Sequence, residues 1–273
     1  MPARFFLSSV KRLTLLLSAL TAVALAKPAA QPAAQPAAQA EGNPAAEPPK
    51  AQPTEFKLPG LVVDTVGKCV DVDATICLGH GSLEFVACTK GTKEHESLVI
   101  VQARAIHIHT ALLLLGAKNG NPAMRQQIKG KDENDIRWMD IPPRGAPIEV
   151  FLAWKNEEGK TVERPIGDFI KRVDEEAVAA PNPDAKTEKE KFPGTFVFAG
   201  SLLGEPEQTP RPYLADRSGH VISISTFGDE VLCLSETHSQ DNGALIWEVD
   251  STHLPKANSK VILRLRIKKN EKP

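Results

Sequence analysis

The sequence predicts a β-rich α+β protein, built mainly of antiparallel strands with one clear helix. Apolar and polar residues alternate along several short segments bounded by glycine, proline, asparagine or aspartate, which is typical of half-buried strands. By contrast, residues 103–117 combine alanines with a run of four leucines, and Gly116 and Gly120 lie where a helix would end. A short second helix is expected at residues 165–173, because Pro165 suits a first helical turn.

The strands are expected in two hairpins and a series of shorter segments. Residues 70–76 alternate apolar and polar side chains, and residues 83–88 follow a glycine-rich turn, so together they predict the first hairpin. Residues 97–101 are a continuous apolar run, as expected of a buried strand. A second hairpin is predicted from residues 147–154 and 161–164. Further strands are predicted at residues 195–199, 221–225, 230–234, 245–249 and 260–267.

The N-terminus has the pattern of a secretory signal peptide, residues 1–26. Basic residues precede an apolar run from Leu13 to Leu25, and Ala24-Leu25-Ala26 is a small-x-small cleavage site. The run is shorter than the roughly 20 residues that span a bilayer. We therefore expect export to the periplasm or the extracellular space, a mature chain that starts near Lys27, and no transmembrane span after cleavage.

The next segment, residues 27–53, is predicted to be a disordered linker. It repeats proline, alanine and glutamine and offers almost no side chains that could bury apolar area. Residues 54–270 are then expected to form one β-rich domain. Within it, residues 174–191 are charged, contain proline and predict an exposed loop.

Composition narrows the classes of partner. The formal net charge is −1, so there is no global argument for binding nucleic acid or an anionic membrane. The basic residues near the C-terminus partly alternate along a predicted strand, and a solvated strand face explains them at least as well as a binding patch. The expected partner is an unidentified protein or another component of the cell envelope.

The four cysteines leave two alternatives open. Cys69, Cys77, Cys88 and Cys233 are separated by 7, 10 and 144 residues, which does not fit the tight spacing that iron–sulfur clusters use. In an exported protein they are candidate disulfide partners. Cys69 and Cys77 on one uninterrupted strand would be about 26 Å apart, so a bond needs a strand break or another partner. The alternative is buried free thiols.

Histidine and glutamate side chains form the candidate binding or metal site. Glu94, His95, Glu96 and His109 are nitrogen and oxygen ligands of the kinds that divalent metals accept. The spacing argues against a ready-made site, because Glu94 and Glu96 would share a strand face opposite to His95. The alternative is a structural role, in which these side chains hydrogen-bond backbone donors near a strand entry and a helix. No cofactor is predicted, although a divalent metal remains open.

No pattern in the chain predicts a catalytic residue. Ser97 follows Glu96 and lies near His95, but the strand-turn-helix motif of a Gly-x-Ser-x-Gly nucleophile is missing from the sequence. The glycines are spread through predicted turns and do not form a phosphate-binding loop. Whether the protein is an enzyme therefore stays open, with a non-catalytic role favoured.

Four segments resemble one known family. Residues 91–97 (GTKEHES), 109–117 (HTALLLLGA), 198–202 (FAGSL) and 213–223 (YLADRSGHVIS) are similar to the YdjY-domain family of uncharacterised bacterial exported proteins. The resemblance covers nearly all of the chain after the linker and implies no established reaction. We expect a binding or assembly module of the cell envelope. The alternative is a metal- or redox-linked accessory protein that uses the Glu94-His95-Glu96 and His109 region.

Overall fold

The computed structural model describes residues 54–129, 136–173 and 191–268. The predicted signal peptide and linker lie outside the described residues, and so do residues 174–190 of the predicted charged loop. All described residues belong to one compact unit, Ala51–Pro273.

The elements of the described residues are mostly strands. The strands are β1 Glu55–Leu58, β2 Leu61–Asp64, β3 Cys69–Ile76, β4 Phe85–Thr89, β5 Ser97–Val101, β6 Asn119–Asn121, β7 Met124–Lys129, β8 Ile136–Ile141, β9 Arg144–Gly145, β10 Pro147–Lys155, β11 Thr161–Pro165, β12 Ile170–Arg172, β13 Thr195–Phe198, β14 His220–Ser223, β15 Leu232–Cys233, β16 Trp247–Val249 and β17 Lys260–Ile267. The helices are α1 Ala105–Leu114 and α2 Leu214–Ser218, with 3-10 turns at Glu94–Glu96, Ile166–Phe169 and Asn242–Ala244.

Eight strands form a closed sheet. Their order is β3, β17, β10, β13, β15, β14, β4 and β5, and β5 pairs back onto β3. β2 and β1 extend from β3, and β11 extends from β10. The predicted α+β class is therefore wrong: the structure is mostly β, with helices of only ten and five described residues. Closing the sheet encloses most of the core among strands, so little helix is needed to cover it.

Alternation along the strands fills the inside of the closed sheet. In β17, Val261, Leu263 and Leu265 are buried, whereas the residues between them are more exposed. β3 and β10 contribute further inward side chains in the same way. This pattern agrees with the predicted strands at residues 70–76, 147–154 and 260–267, because period-two burial is a local property of a strand with one face in a core.

The first predicted hairpin is wrong in its pairing, although both strands exist. β3 and β4 are not neighbours; β5 lies between them, antiparallel to β3 and parallel to β4. Residues Phe85 to Cys88 of β4 are all buried, and a strand buried on both faces occupies an interior position of a sheet. The second predicted hairpin is confirmed, because β10 and β11 pair directly through the turn at residues 156–159.

The main predicted helix is confirmed with shorter bounds. It ends as expected, because Gly116 has a φ of +90° and donates to the carbonyl of Leu113. The second predicted helix, residues 165–173, is wrong: a single 3-10 turn is followed by β12, whose Ile170 pairs with Val249. β-branched Ile170 favours this strand pairing over a helix. Within the described residues, no helix is long and apolar enough to span a membrane.

Candidate functional site

The predicted site residues of the acidic and histidine-rich segment lie on one 3-10 turn. This turn, Glu94–Glu96, connects β4 to β5. Glu94 accepts a hydrogen bond from the backbone N–H of Gly91, which lowers the pKa of the Glu94 carboxyl below its ordinary value. His95 is largely exposed, and its Nε2 lies 2.7 Å from Oε1 of Glu96. Glu94 thus supports the turn, while His95 and Glu96 form a pair.

His109, the fourth predicted residue, belongs to a different set of contacts. Its Nδ1 lies 3.1 Å from the carbonyl oxygen of Gly200 and 2.9 Å from the hydroxyl of Tyr213. Its ring packs edge-on against Phe198. Burial lowers the pKa of His109, so the neutral ring is favoured. His109 therefore joins α1 to the segment around residues 198–213.

The structure does not gather the four predicted residues into one site. Among the described residues there is no group of three or more His, Cys, Asp or Glu side chains arranged to hold a metal ion. The side chains instead hydrogen-bond nearby groups, which is the arrangement expected of the structural alternative.

Sequence reasoning missed the partner of Glu96, which is Glu84. Glu84 precedes β4 and is only 6% exposed. Its backbone N–H donates to the carbonyl of Glu96 over 3.1 Å, and its own carbonyl accepts from the N–H groups of Ile224 and Ser225. These contacts fix the Glu84 side chain beside the carboxyl of Glu96. A charged residue within the otherwise apolar segment from residue 83 to 88 was the available signal.

The surroundings of Glu84 favour its protonated form beside the carboxyl of Glu96. Oε2 of Glu96 is buried without a hydrogen-bond donor, and the ammonium of Lys93 lies 3.7 Å away, too far to supply one. A protonated Glu84 can donate to it. Burial is the main reason that the pKa of the Glu84 carboxyl rises to about 7. The hydrogen bond with Glu96 and the negative charge of the Glu96 carboxylate raise it further. The pair therefore holds a proton that leaves near neutral pH.

The candidate disulfide partners are free thiols in the structure. Cys69, Cys88 and Cys233 are buried, and Cys77 is half-buried. The thiol of Cys77 donates to the carbonyl of Ser97 over 2.9 Å. Burial raises the pKa of all four thiols, that of Cys77 to about 12. The thiol form is therefore favoured over the thiolate that nucleophilic attack and metal binding require.

A groove lies on the outer face of the closed sheet. We call it the outer groove; it has a volume of about 880 Å³ and crosses β3, β17, β10 and β11. Its lining is Asp73, Ala74, Thr75, Gln102, Ala153, Trp154, Lys155, Thr161, Lys260, Val261, Ile262 and Arg264. This volume is within the range of small-molecule sites, which combine apolar surface with a few polar groups.

An ion-pair network stiffens one end of the outer groove. Arg264 holds both carboxylate oxygens of Asp71 at 2.6 Å and one oxygen of Glu163, also at 2.6 Å. Arg266 holds the same Glu163 through two hydrogen bonds and lies over the ring of Phe151. The hydrogen bonds from Arg266, and to a lesser extent those from Arg264, lower the pKa of the Glu163 carboxyl. The guanidinium groups are therefore committed to fixed partners.

The rest of the outer groove is less constrained. Trp154 forms part of the lining, is half-buried and packs edge-on against Phe169. Ala153 and Ile262, which pair across β10 and β17, contribute small and branched apolar surface. Lys155 and Lys260 are exposed at the end of the groove away from the ion-pair network. The groove thus offers an apolar floor and two ammonium groups, whereas the ring of Trp154 packs against the core.

The comparisons with known proteins return one finding. The model of the family described as the YdjY domain matches residues 61–266 of this chain. No curated protein and no solved structure matches it. The matched span begins in β2 and ends in β17, so it includes the whole closed sheet, the outer groove and the Glu84–Glu96 pair.

Proposed function

The chain belongs to the YdjY-domain family, and we propose that it acts as an exported, non-catalytic binding module. Its outer groove would bind the ligand, which is either a component of the cell envelope or a segment of a partner protein. The observation that supports this proposal is the outer groove itself. It combines a volume of about 880 Å³ with an apolar floor and the polar side chains of Thr75, Lys155 and Lys260. Such concave surfaces are the ordinary sites of ligand binding.

The chemistry of the groove supports binding rather than a reaction. Glu163, the carboxylate beside the groove, is held by Arg264 and Arg266 and has a lowered pKa. A carboxylate held in its charged form is poorly suited to exchange protons near neutral pH. The groove side chains on β3, β10, β11 and β17 lie on paired strands, which favours a preformed site and lowers the ordering cost of binding.

The positions of the predicted metal-ligating residues point the same way. Glu94 and His109 each hydrogen-bond a backbone group, at Gly91 and Gly200 respectively. A metal-linked accessory protein would need these side chains to converge around an open coordination position. We therefore place the ligand in the outer groove rather than at the acidic and histidine-rich segment.

The test uses the three tryptophan indoles as reporters. In protein labelled with ¹⁵N-indole tryptophan, each indole N–H gives one NMR signal, and Trp154→Phe identifies the signal of the groove. Trp138 is 55% exposed on β8, outside the groove lining, whereas Trp247 is buried. Pools of peptidoglycan fragments, neutral and acidic oligosaccharides, and short peptides are added to the mature chain. We expect one pool to shift the Trp154 signal and to leave the other two in place.

A steric variant distinguishes the groove from the rest of the surface. Thr161 is exposed at the groove edge, so Thr161→Phe narrows the groove without entering the core. Gln127→Phe places the same side chain on the exposed β7 as a matched control. We expect the first variant to abolish the shift and the second to preserve it. Pools that never move the Trp154 signal, or a shift that survives Thr161→Phe, would contradict the proposal.

A further inference from the structure

A row of hydroxyl and ammonium groups crosses one end of the outer groove. Lys260 of β17 pairs with Thr75 of β3, and Lys155 of β10 pairs with Thr161 of β11. The pairing of β10 with β17 ends at Ala153 and Ile262; Lys155 follows Ala153 by two residues, and Lys260 precedes Ile262 by two, so both lie beyond this end of the pairing. All four side chains of this row line the groove.

The two lysines of this row have no counter-charge among the described residues. Neither ammonium forms an ion pair or a hydrogen bond there. The acids nearest along the groove are already used, because Asp71 and Glu163 bind Arg264. The row is therefore a local concentration of positive charge within a chain whose formal net charge is −1.

Asp73 is the one acidic group of the groove lining that has no partner of its own. It pairs with Ile262, two residues before Thr75 on the same strand. This position is about 7 Å from the lysine row along the strand, and Asp73 forms no ion pair with either lysine. The carboxylate of Asp73 would repel an anion held between the lysines and so offset part of the attraction of the two ammonium groups.

We propose that the row Thr75, Lys260, Lys155 and Thr161 is an anion subsite of the outer groove, and that the ligand is a small organic oxyanion whose uncharged body extends over Ile262 and Ala153. The inference rests on the proposed function of the groove and narrows its ligand. Two ammonium groups neutralise the oxyanion, and the threonine hydroxyls can donate to its remaining oxygens. Carboxylates and phosphates share this chemistry.

The organic probes share one body and differ in the head group. They are 4-phenylbutyrate, its uncharged amide and 3-phenylpropyl phosphate, titrated into the full mature chain while the Trp154 indole signal is followed. We expect both anions to bind more tightly than the amide, and the affinity ratio of carboxylate to phosphate to identify the preferred source of the oxyanion. The advantage of the anions should shrink as salt is raised, because the lysines are exposed.

Charge-removing variants assign the effect to the row. Lys155→Gln with Lys260→Gln should weaken binding of the anions about three- to tenfold, as expected of two exposed charge contacts, and leave binding of the amide unchanged. Lys57→Gln, on the exposed edge strand β1, is the matched control. If the amide binds as tightly as the anions and the double variant changes nothing, the anion subsite is wrong while the groove remains a binding site.

A readout without an organic ligand separates this inference from the proposed function. Inorganic phosphate should raise the unfolding temperature of the wild-type chain more than that of the Lys155→Gln, Lys260→Gln variant at equal ionic strength, because phosphate binds the folded row. The variant subtracts the general effect of phosphate on stability. Equal stabilisation of the two chains would overturn the subsite, whatever the Trp154 signal reports about neutral ligands.

Discussion

Replacing Glu84 by glutamine should remove a stability term that depends on pH. An amide is a neutral isostere of the protonated carboxyl and can still donate to Oε2 of Glu96. In the wild type the pKa of Glu84 is about 7 in the folded chain, against an ordinary value of 4.5. The folded state therefore binds the proton more tightly than the unfolded state.

The direction of the effect follows from proton linkage. Between the ordinary pKa of 4.5 and the folded pKa of about 7, the unfolded chain has lost the proton that the folded chain retains. Stability is therefore fully present below the lower value and is lost as the pH rises through the higher one. A difference of roughly two to three pKa units corresponds to about 3 kcal/mol.

Urea unfolding of the wild type and of Glu84→Gln from about pH 5 to pH 8 measures this term. We expect the variant to gain stability relative to the wild type as the pH rises, by up to about 3 kcal/mol. Glu96→Gln should behave similarly, because its amide replaces the proton from the other side. Glu158→Gln, on an exposed turn, controls for the loss of one negative charge. A stability difference that stays constant over this pH range would refute the protonated Glu84.

Three further predictions concern export, the ion-pair network and metal content. The exported protein should begin near Lys27 by N-terminal sequencing, and deleting residues 27–53 should leave thermal unfolding nearly unchanged, whereas an intact Met1 or a loss of several degrees would contradict these expectations. Arg264→Met should lower the free energy of unfolding by about 1–3 kcal/mol in denaturant titrations, because Asp71 and Glu163 lose the guanidinium that they share. An unchanged free energy of unfolding would show that solvent already screens the network. Elemental analysis of natively exported protein should find metal well below stoichiometric levels, unaffected by His95→Ala, and a stoichiometric metal lost in that variant would restore the accessory-protein alternative.

Local patterns were sufficient for the elements that depend on their own neighbours. Alternation predicted β3, β10 and β17, and Gly116 marked the end of α1, because both signals act within a few residues. The same reasoning failed at residues 165–173, where Ile170 pairs with Val249 from a distant part of the chain. A pairing of that kind can override a local preference for helix.

The candidate sites were less accessible to sequence reasoning. Glu94, His95 and Glu96 stood out as a cluster of ligand types, yet the partner that matters for Glu96 is Glu84, twelve positions earlier in what was predicted to be a hairpin strand. The sequence offered no means of placing Lys155 and Lys260, which are 105 positions apart, in the same groove. Their proximity exists only because β10 and β17 are neighbours in the closed sheet.

By itself, the sequence predicted several of the strands, the end of the main helix and the family that the chain resembles, because these depend on side-chain periodicity, turn residues and short motifs. Only the tertiary structure decided that β5 lies between β3 and β4, that the sheet closes, and that an outer groove with two unpaired lysines lies on its surface. Strand neighbours are chosen by burial of whole faces across the molecule. That choice is a global property of the fold, which local patterns do not contain.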